Sequence, residues 1–426
     1  MTRPRNTRNM PQNTRTTRSA NRWVVACVLV GLALRLAFAL LYWVNQPLTH
    51  DEREYLALAQ SIAHGRGFVY DPTFETGTAQ QFGRAPGYPL FLAAIGAGST
   101  DATNAPRIVQ IVQSLVGALG VWLIGLLALQ TAGPRAGMAA AAIAAVYPPL
   151  VILPAYVLSE TLFCTIALRA ALALQRALDA IDGVADPSHR PITQQVLVAG
   201  ALTAAAVLIR PAMLFFVPLA FLWLARRRRH LAAATLFALA FIVVLAPWTV
   251  RNLRTYERFV LIASEGGVTF WTGNHALAVG EGDLAANPAL KAADLEFRNA
   301  HPGLTAEALE PLYYRDALAW IASHPLDWLS LELRKLFYLV VPIGPSYALH
   351  SARYQIASSV PYVILLPFAI AGALRQGIRR PAALFLLTGS TIVMCLVFFP
   401  QERFRIPTID PTLIVAAAAL AGRSRS

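Results

Sequence analysis

Charge is what this 426-residue chain has least of: 14% of its residues are charged, where soluble globular domains carry about 25%. That shortage, with 56% hydrophobic residues and a mean hydropathy of +0.50, excludes an ordinary cytosolic enzyme. Lysine is nearly missing. Lys291 and Lys335 are the only two, so arginine carries almost all of the net charge of +13. A basic balance of this size can signal a nucleic-acid partner. Here the arginines stand in short clusters between long apolar runs, the pattern of cytoplasmic loops in a membrane protein, and nucleic-acid binding is excluded. Cysteine is scarce too: Cys27, Cys164 and Cys395 lie far apart inside apolar stretches, without the paired spacing of a zinc site. They read as small packing residues, not as a disulfide framework or a redox site. A repeat at fixed period is also missing, which argues against repeat-built folds and inverted-repeat transporters.

What is present is a series of apolar runs. The first 22 residues are polar and hold Arg3, Arg5, Arg8, Arg15, Arg18 and Arg22; this basic tail is expected to be disordered and cytoplasmic. The apolar run from Trp23 to Val44 is longer than a signal-peptide core and has no small-residue cleavage site, so it reads as a retained first span. Nine more spans are expected at about 107–131, 137–157, 159–178, 194–209, 211–225, 230–247, 356–374, 382–400 and 407–422. With the N-terminus inside, the strong arginine clusters fall inside: Arg135, then Arg176 and Arg190, Arg226 to Arg229, Arg375 with Arg379 and Arg380, and Arg423 with Arg425. Residues 327–343 would break that parity if they crossed. They are expected to lie along the outer interface, with Arg334 and Lys335 at headgroup level, as are residues 86–98. Two long outer segments result, about 46–106 and 248–355, and loops of this length are usually functional.

The polar residues of these segments suggest a chemistry. In Thr49-His50-Asp51-Glu52-Arg53-Glu54-Tyr55, Thr49 and Glu52 have the spacing of a capping box, and Tyr55, Leu58 and Ile62 form one stripe of the helix that follows. Successive residues of a first turn point about 100° apart, so one of Asp51 and Glu52 serves as cap while the other is available as a general base towards an incoming hydroxyl. Gly83-Arg84-Ala85-Pro86-Gly87-Tyr88-Pro89 sets a turn at the outer face. Ser159-Glu160 interrupts an apolar region and reads either as a helix cap or as a second acidic site. Arg210-Pro211 stands between two spans, where an arginine either snorkels or has a functional partner. Pro247-Trp248-Thr249-Val250-Arg251-Asn252 marks the exit of the seventh span, and Gln401-Glu402-Arg403-Phe404-Arg405-Ile406-Pro407 joins the last two. Arg84, Arg210, Arg251, Arg254, Arg403 and Arg405 together would make a cationic outer surface suited to a phosphate at headgroup level. A sugar on a lipid phosphate has a good leaving group, so a site for its transfer needs a base for the acceptor hydroxyl and cations for the departing phosphate.

The order of these motifs, with Gly273-Asn274, resembles the GT-C glycosyltransferases over about residues 23–420, and within them the bacterial branch similar to protein O-mannosyltransferases and the aminoarabinose transferase of lipid A. In the aminoarabinose transferases a Glu-Lys pair precedes the proline of the turn; here Arg84-Ala85 stands instead. The resemblance implies an inverting glycosyltransferase that moves a sugar from a polyprenyl-phosphate donor to a lipid, polysaccharide or protein acceptor on the outer face of the bacterial inner membrane. It aligns Asp51 with the acidic residue the family uses for catalysis in its first outer loop, and Glu160 with the acidic position of the second.

The expected fold is an all-α polytopic membrane protein of about ten transmembrane helices with outer interfacial helices. Its tail (1–22) and C-terminus (423–426) are expected to be cytoplasmic and to flank one transferase domain, 23–422. Asp51 is the expected base, with Glu52 and Glu160 as helpers. Arg84, Arg210, Arg251, Arg403 and Arg405 are expected to bind the donor phosphate, and Tyr55, Tyr88 and Asn274 to position substrate. The partners expected are the lipid-linked donor, the acceptor and the bilayer. No cofactor is expected, and no metal, since His50-Asp51-Glu52 lacks a convincing ligand spacing. The alternative is a secondary transporter, or a membrane protein that handles lipid-linked sugars without catalysis.

Overall fold

A computed structural model describes residues 10–69, 83–99, 103–183, 191–226, 230–377 and 380–422, with side chains from residue 20 onward. Arg3, Arg5, Arg8, Arg190, Arg227 to Arg229, Arg379, Arg423 and Arg425 lie outside the described residues, as do the side chains of Arg15 and Arg18. Regular structure among the described residues is helical, apart from one isolated bridge between Pro47 and Asn104.

Helix α1 (Met10–Ala37) continues through a π turn at Phe38–Tyr42. Residues 10–22, expected as disordered tail, are therefore helical. Pro11 sits in the first turn, where its missing N–H costs nothing, and the apolar run behind it extends the helix backwards. Next come α2 (His50–Ala63), α3 (Gly87–Ala94), α4 (Arg107–Ala132), α5 (Pro134–Val146) and α6 (Pro148–Ile152). The expected span at 137–157 is broken, because Pro148 and Pro149 cannot continue α5; Tyr147 is extended and the chain bends by 60°. Helices α7 (Glu160–Ile181), α8 (Ile192–Ile209), α9 (Phe216–Ala225) and α10 (Leu231–Tyr256) complete the first part of the bundle. Arg210, ahead of a proline, is extended and divides α8 from a 3₁₀ turn that leads into α9.

Among the described residues six helices are long and apolar enough to cross a membrane, or seven if the bent pair is one span. Three apolar helices are shorter, at Pro211–Ala225, Ala382–Val397 and Ile409–Ala421. Together they occupy the ten places where apolar runs were expected, six or seven of them at full length. The chain is a multi-pass membrane protein. Close packing depends on small residues: alanines 167, 170, 171, 173 and 177 line the buried face of α7. A Cβ on Gly200 would stand 2.3 Å from the Phe237 carbonyl oxygen, so α8 and α10 meet where no side chain fits.

Between α10 and the C-terminal helices lie α11 (Gly266–Gly273), α12 (Pro288–Asn299), α13 (Ala306–Ser323) and α14 (Pro325–Val340). The first three have a small core of their own, made by Trp271, Leu290, Leu309, Tyr313 and Ala317. Helix α14 turns its apolar residues outward, exposing Leu326, Leu329, Leu333, Phe337 and Val340, as an interfacial helix does. Lys335 was expected at headgroup level and is instead fully buried. It donates to the Asn274 side-chain oxygen (3.1 Å), Glu332 (2.6 Å) and the Leu396 carbonyl (2.9 Å). It stands on the face opposite the apolar stripe, whereas Arg334 is exposed. Helices α15 (Ala352–Gln376), α16 (Ala382–Val397), α17 (Glu402–Arg405) and α18 (Ile409–Ala418) close the fold.

Candidate active site

The capping box at the start of α2 orients the site. Thr49 accepts from the Glu52 amide, and Glu52 accepts from the Thr49 amide (2.8 Å) and, with its other oxygen, from the Val157 amide (2.8 Å). Both Glu52 oxygens are thus committed to backbone donors, which corrects its expected part as catalytic helper: it anchors α2 to the segment ahead of α7. Asp51, one residue earlier, points elsewhere. Its two oxygens accept from Arg84 (2.9 Å) and Arg403 (2.6 Å), while the side chain stays 23% exposed. Burial pushes the carboxyl up, but the two guanidinium groups outweigh it and hold it well below the usual carboxylate range.

Arg84 reaches this place because Gly87 lets α3 dock against α8; a Cβ there would stand 2.8 Å from the Leu208 carbonyl oxygen. It is not free for phosphate, as was expected. Three carboxylates surround it: Asp51, Glu54 (Nε to Oε2, 2.8 Å) and Glu265 (3.1 Å), and the Tyr55 ring lies 5.6 Å from its centre. Glu54 and Glu265 were missed. Glu54 was open to discovery, since it stands one helical turn from Asp51 on the same face. Glu265 is 181 residues from Arg84 and no spacing announces it.

The Trp248-Thr249-Val250-Arg251-Asn252 motif explains how Glu265 arrives. It lies within α10, which runs past its apolar part to Tyr256. Trp248 donates to the Ile262 carbonyl (2.7 Å), Thr249 to Leu261 (2.9 Å), and Asn252 to Val260 and Ile262 (both 3.1 Å). The clamped strip ends at Ser264, whose hydroxyl accepts from the Gly83 amide (2.7 Å) and whose own amide donates back to the Gly83 carbonyl. Glu265 follows directly. Burial pushes its carboxyl up, with Arg84 opposing, so Asp51 and Glu265 share one guanidinium with their proton affinities driven apart.

The remaining expected residues are placed differently. Arg403 joins the Asp51 cluster, while Arg251 bonds to its own helix and to Phe68. Arg403 is 38% exposed and bonded to Asp51 and Gln401. Arg251 has no carboxylate partner among the described residues; it donates to the Tyr256 hydroxyl (3.1 Å) and the Phe68 carbonyl (3.2 Å), between the rings of Phe68, Trp248 and Tyr256. Arg405 is engaged elsewhere, whereas the Glu160–Arg210 pair adjoins the site: both charges act on Tyr55, Glu160 acts on Arg403, and the Phe404 ring packs against Arg210 and Arg403 alike. Glu160 and Arg210 form a buried ion pair, and Ser159 makes no cap bond, its hydroxyl lying 3.4 Å from Arg210. Arg405 is withdrawn into the fold against Asp410 (3.1 Å) and the Tyr362 ring. The expected cationic surface is therefore not what forms, because four of these six arginines are paired with carboxylates, three of them with buried ones. Tyr88 is fully buried, donating to Gln113, with its edge against Tyr55. Asn274 spends both ends on Phe270, Val397, Trp328 and Lys335. Tyr88 and Asn274 are thus structural in place of substrate-positioning, while Tyr55 lines the Arg84 cluster. Among the described residues no three His, Cys, Asp or Glu side chains are grouped to hold a metal ion.

A further carboxyl borders the cluster. Glu310 of α13 meets the first turn of α11; burial pushes it up to about 7, while the Gly267 amide pulls it down and Glu307 raises it further. A carboxyl raised above its unfolded value of about 4.3 contributes stability that is complete below that pH and is lost as pH rises through 7. Glu310→Gln keeps the neutral shape and is expected to be more stable than wild type at pH 8 by roughly 1–3 kcal/mol, and indistinguishable at pH 4. Thermal melts of both proteins at the two pH values check this.

No protein-family model and no curated protein sequence matches the chain. Solved structures do. The apo oligosaccharyltransferase of Archaeoglobus fulgidus matches with a TM-score of 0.56 and 17% identity, over 94% of this chain and 50% of that one. The archaeal oligosaccharyltransferase AglB of the same organism, in complex with an inhibitory peptide and a dolichol-phosphate, matches with a TM-score of 0.54, 17% identity and the same coverage. ArnT from Cupriavidus metallidurans in the apo state aligns with a TM-score of 0.41 and 14% identity, over 95% of this chain and 78% of that one. The chain spans about half the length of the archaeal structures. The order of helices, the acidic α2 start beyond the first span and the likeness to these structures together give this chain the fold of the GT-C glycosyltransferases.

Proposed function

We propose that the chain is an inverting glycosyltransferase that moves a sugar from a polyprenyl-phosphate donor to a lipid, polysaccharide or protein acceptor at the outer face of the bacterial inner membrane, with both termini cytoplasmic. The observation that carries this reading is the Asp51 carboxylate: ionised, partly exposed and clamped between Arg84 and the more exposed Arg403. It is supported by the fold shared with a protein solved in complex with a dolichol-phosphate.

In this reading Asp51 accepts the proton of the acceptor hydroxyl as the acceptor oxygen bonds to the anomeric carbon. The bond from that carbon to the phosphate oxygen breaks, and the leaving polyprenyl phosphate keeps the electron pair. Two guanidinium contacts make Asp51 a weak base in the empty site, since an effective base has a pKa near the working pH. A donor phosphate competes for Arg403, and every contact it takes raises the basicity of Asp51. Donor binding thus switches on the base, while Arg84, saturated by Glu54 and Glu265, keeps it in place.

Arg251 is the second contact for the donor phosphate: it is half-buried and has no carboxylate partner among the described residues. A hydrogen bond to a charged group contributes about 1.5–3 kcal/mol, so Arg251→Gln is expected to raise KM for the donor about 10- to 100-fold with kcat little changed. Steady-state kinetics with a lipid-linked donor check it. The function itself is tested by mass spectrometry of lipid-linked sugars in a strain lacking the gene. One polyprenyl-phosphate sugar is expected to accumulate and to clear on complementation with wild type; no change in any such lipid, once redundant enzymes are deleted, favours the transporter.

A further inference from the structure

Arg35 lies within the span formed by α1 and is 1% exposed, so its head cannot snorkel to water. It has no carboxylate partner among the described residues. Its terminal nitrogens donate to the carbonyls of Gly31 (2.9 Å), Ala144 (3.3 Å) and Ala145 (3.4 Å). The last two belong to the end of α5 at the break before Pro148, and a helix C-terminus carries only about half a negative charge. The guanidinium is thus partly compensated, and a buried charge left short of counter-charge is costly.

Beside it is a cavity of about 20 Å³ lined by Arg35, Gly117, Gly120, Thr161, Cys164 and Thr165, with aliphatic side chains closing the rest. Two groups there are buried with no hydrogen-bond partner, Arg35 Nε and the Thr161 hydroxyl. Thr165 gives its hydroxyl proton to backbone carbonyls. Glycine makes the room: a Cβ on Gly117 would stand 3.0 Å from Arg35 Nε, and one on Gly31 2.9 Å from Nη1. Arg35 Nε–H is an unspent donor, the Thr161 hydroxyl can donate beside it, and the local charge is positive. A water here could pass its protons to the Thr161 and Thr165 hydroxyl oxygens but would leave the guanidinium charge uncompensated, whereas an anion takes both donors and offsets that charge.

We infer that this cavity binds one halide-sized monovalent anion, held by Arg35 Nε–H and the Thr161 hydroxyl. The anion neutralises the buried guanidinium and locks α1 and α7 to the α5–α6 break. It lies one helical turn below the Glu160–Arg210 pair and is independent of the transfer reaction, so the inference stands or falls apart from the proposed function.

The test uses the full-length protein in detergent with chloride replaced by bromide. An anomalous bromide peak is expected between Arg35 and Thr161, and its absence from Thr161→Val, which keeps the buried shape. Chloride is expected to raise the melting temperature over gluconate at equal ionic strength by roughly 1–2 °C at about ten times its Kd, with the rise abolished in Thr161→Val and in Arg35→Gln. A water without anomalous signal in the cavity, or equal melting temperatures in the two salts, would overturn the inference.

Discussion

Asp51→Asn is expected to lower sugar transfer by roughly 10²- to 10⁴-fold, the range a positioned general base contributes, while the protein folds and still binds its donor. Asparagine has the shape of aspartate and keeps one oxygen able to accept from Arg84 or Arg403, but it cannot take the acceptor's proton. Arg84 retains Glu54 and Glu265, so the cluster does not lose its counter-charge. Arg403 loses its carboxylate, and with it the competitor for the donor phosphate. Affinity for polyprenyl phosphate is therefore expected to hold or tighten as turnover collapses, a combination that misfolding does not produce. The pH dependence has a definite sign. Asp51 has a depressed pKa in the folded chain, so the stability it contributes is present above the unfolded value of about 3.9 and is lost as pH falls through the folded value. No acid limb from Asp51 is expected in kcat/KM between pH 5 and 8.

The second large effect is on stability. Arg405→Gln is expected to cost about 3–5 kcal/mol, because removing one partner of a buried ion pair strands the other. Asp410 is 0% exposed, and with Arg405 gone the Tyr147 hydroxyl (3.0 Å) is the one hydrogen-bond donor left to it among the described residues. The pair Arg405→Met with Asp410→Asn is expected to recover most of the loss, since the stranded charge is removed as well. Thermal melts of the single and double variants measure this. An Arg405→Gln protein of normal stability that had lost donor binding would restore Arg405 to the phosphate site.

The contrast between Asp51 and Arg405 shows what is legible in the sequence. Helix positions follow from apolar runs, and the α2 start follows from Thr49 and Glu52, because a cap bonds residues three apart. Residue type also singles out Asp51, Arg84 and Arg403, which the fold brings into contact. What residue type does not carry is the partner. Arg403 and Arg405 are two positions apart in one short helix, yet one faces Asp51 and the other Asp410, and only the packing of α18 decides between them. The arginine-rich segments read as a phosphate surface because Glu54, Glu160 and Glu265 come from stretches of chain remote from the arginines they pair with, and Asp410, although close to Arg405 in sequence, lies beyond the motif inside an apolar helix. Arg35 was overlooked for the opposite reason. Its span averages a hydropathy of 2.6, which hides a single charge, although an arginine inside a span is in itself a pointer to a site.

The measurement that bears most directly on Asp51 as the base of a polyprenyl-phosphate-dependent transferase is release of the carrier lipid. Wild-type and Asp51→Asn proteins are each reconstituted with the total lipid extract of the gene-deletion strain, and free polyprenyl phosphate is followed by mass spectrometry. The expected result is time-dependent release, with loss of one lipid-linked sugar, by wild type and at least about 100-fold slower release by Asp51→Asn. Equal release by both proteins would contradict the role of Asp51, and release by neither would contradict the transferase.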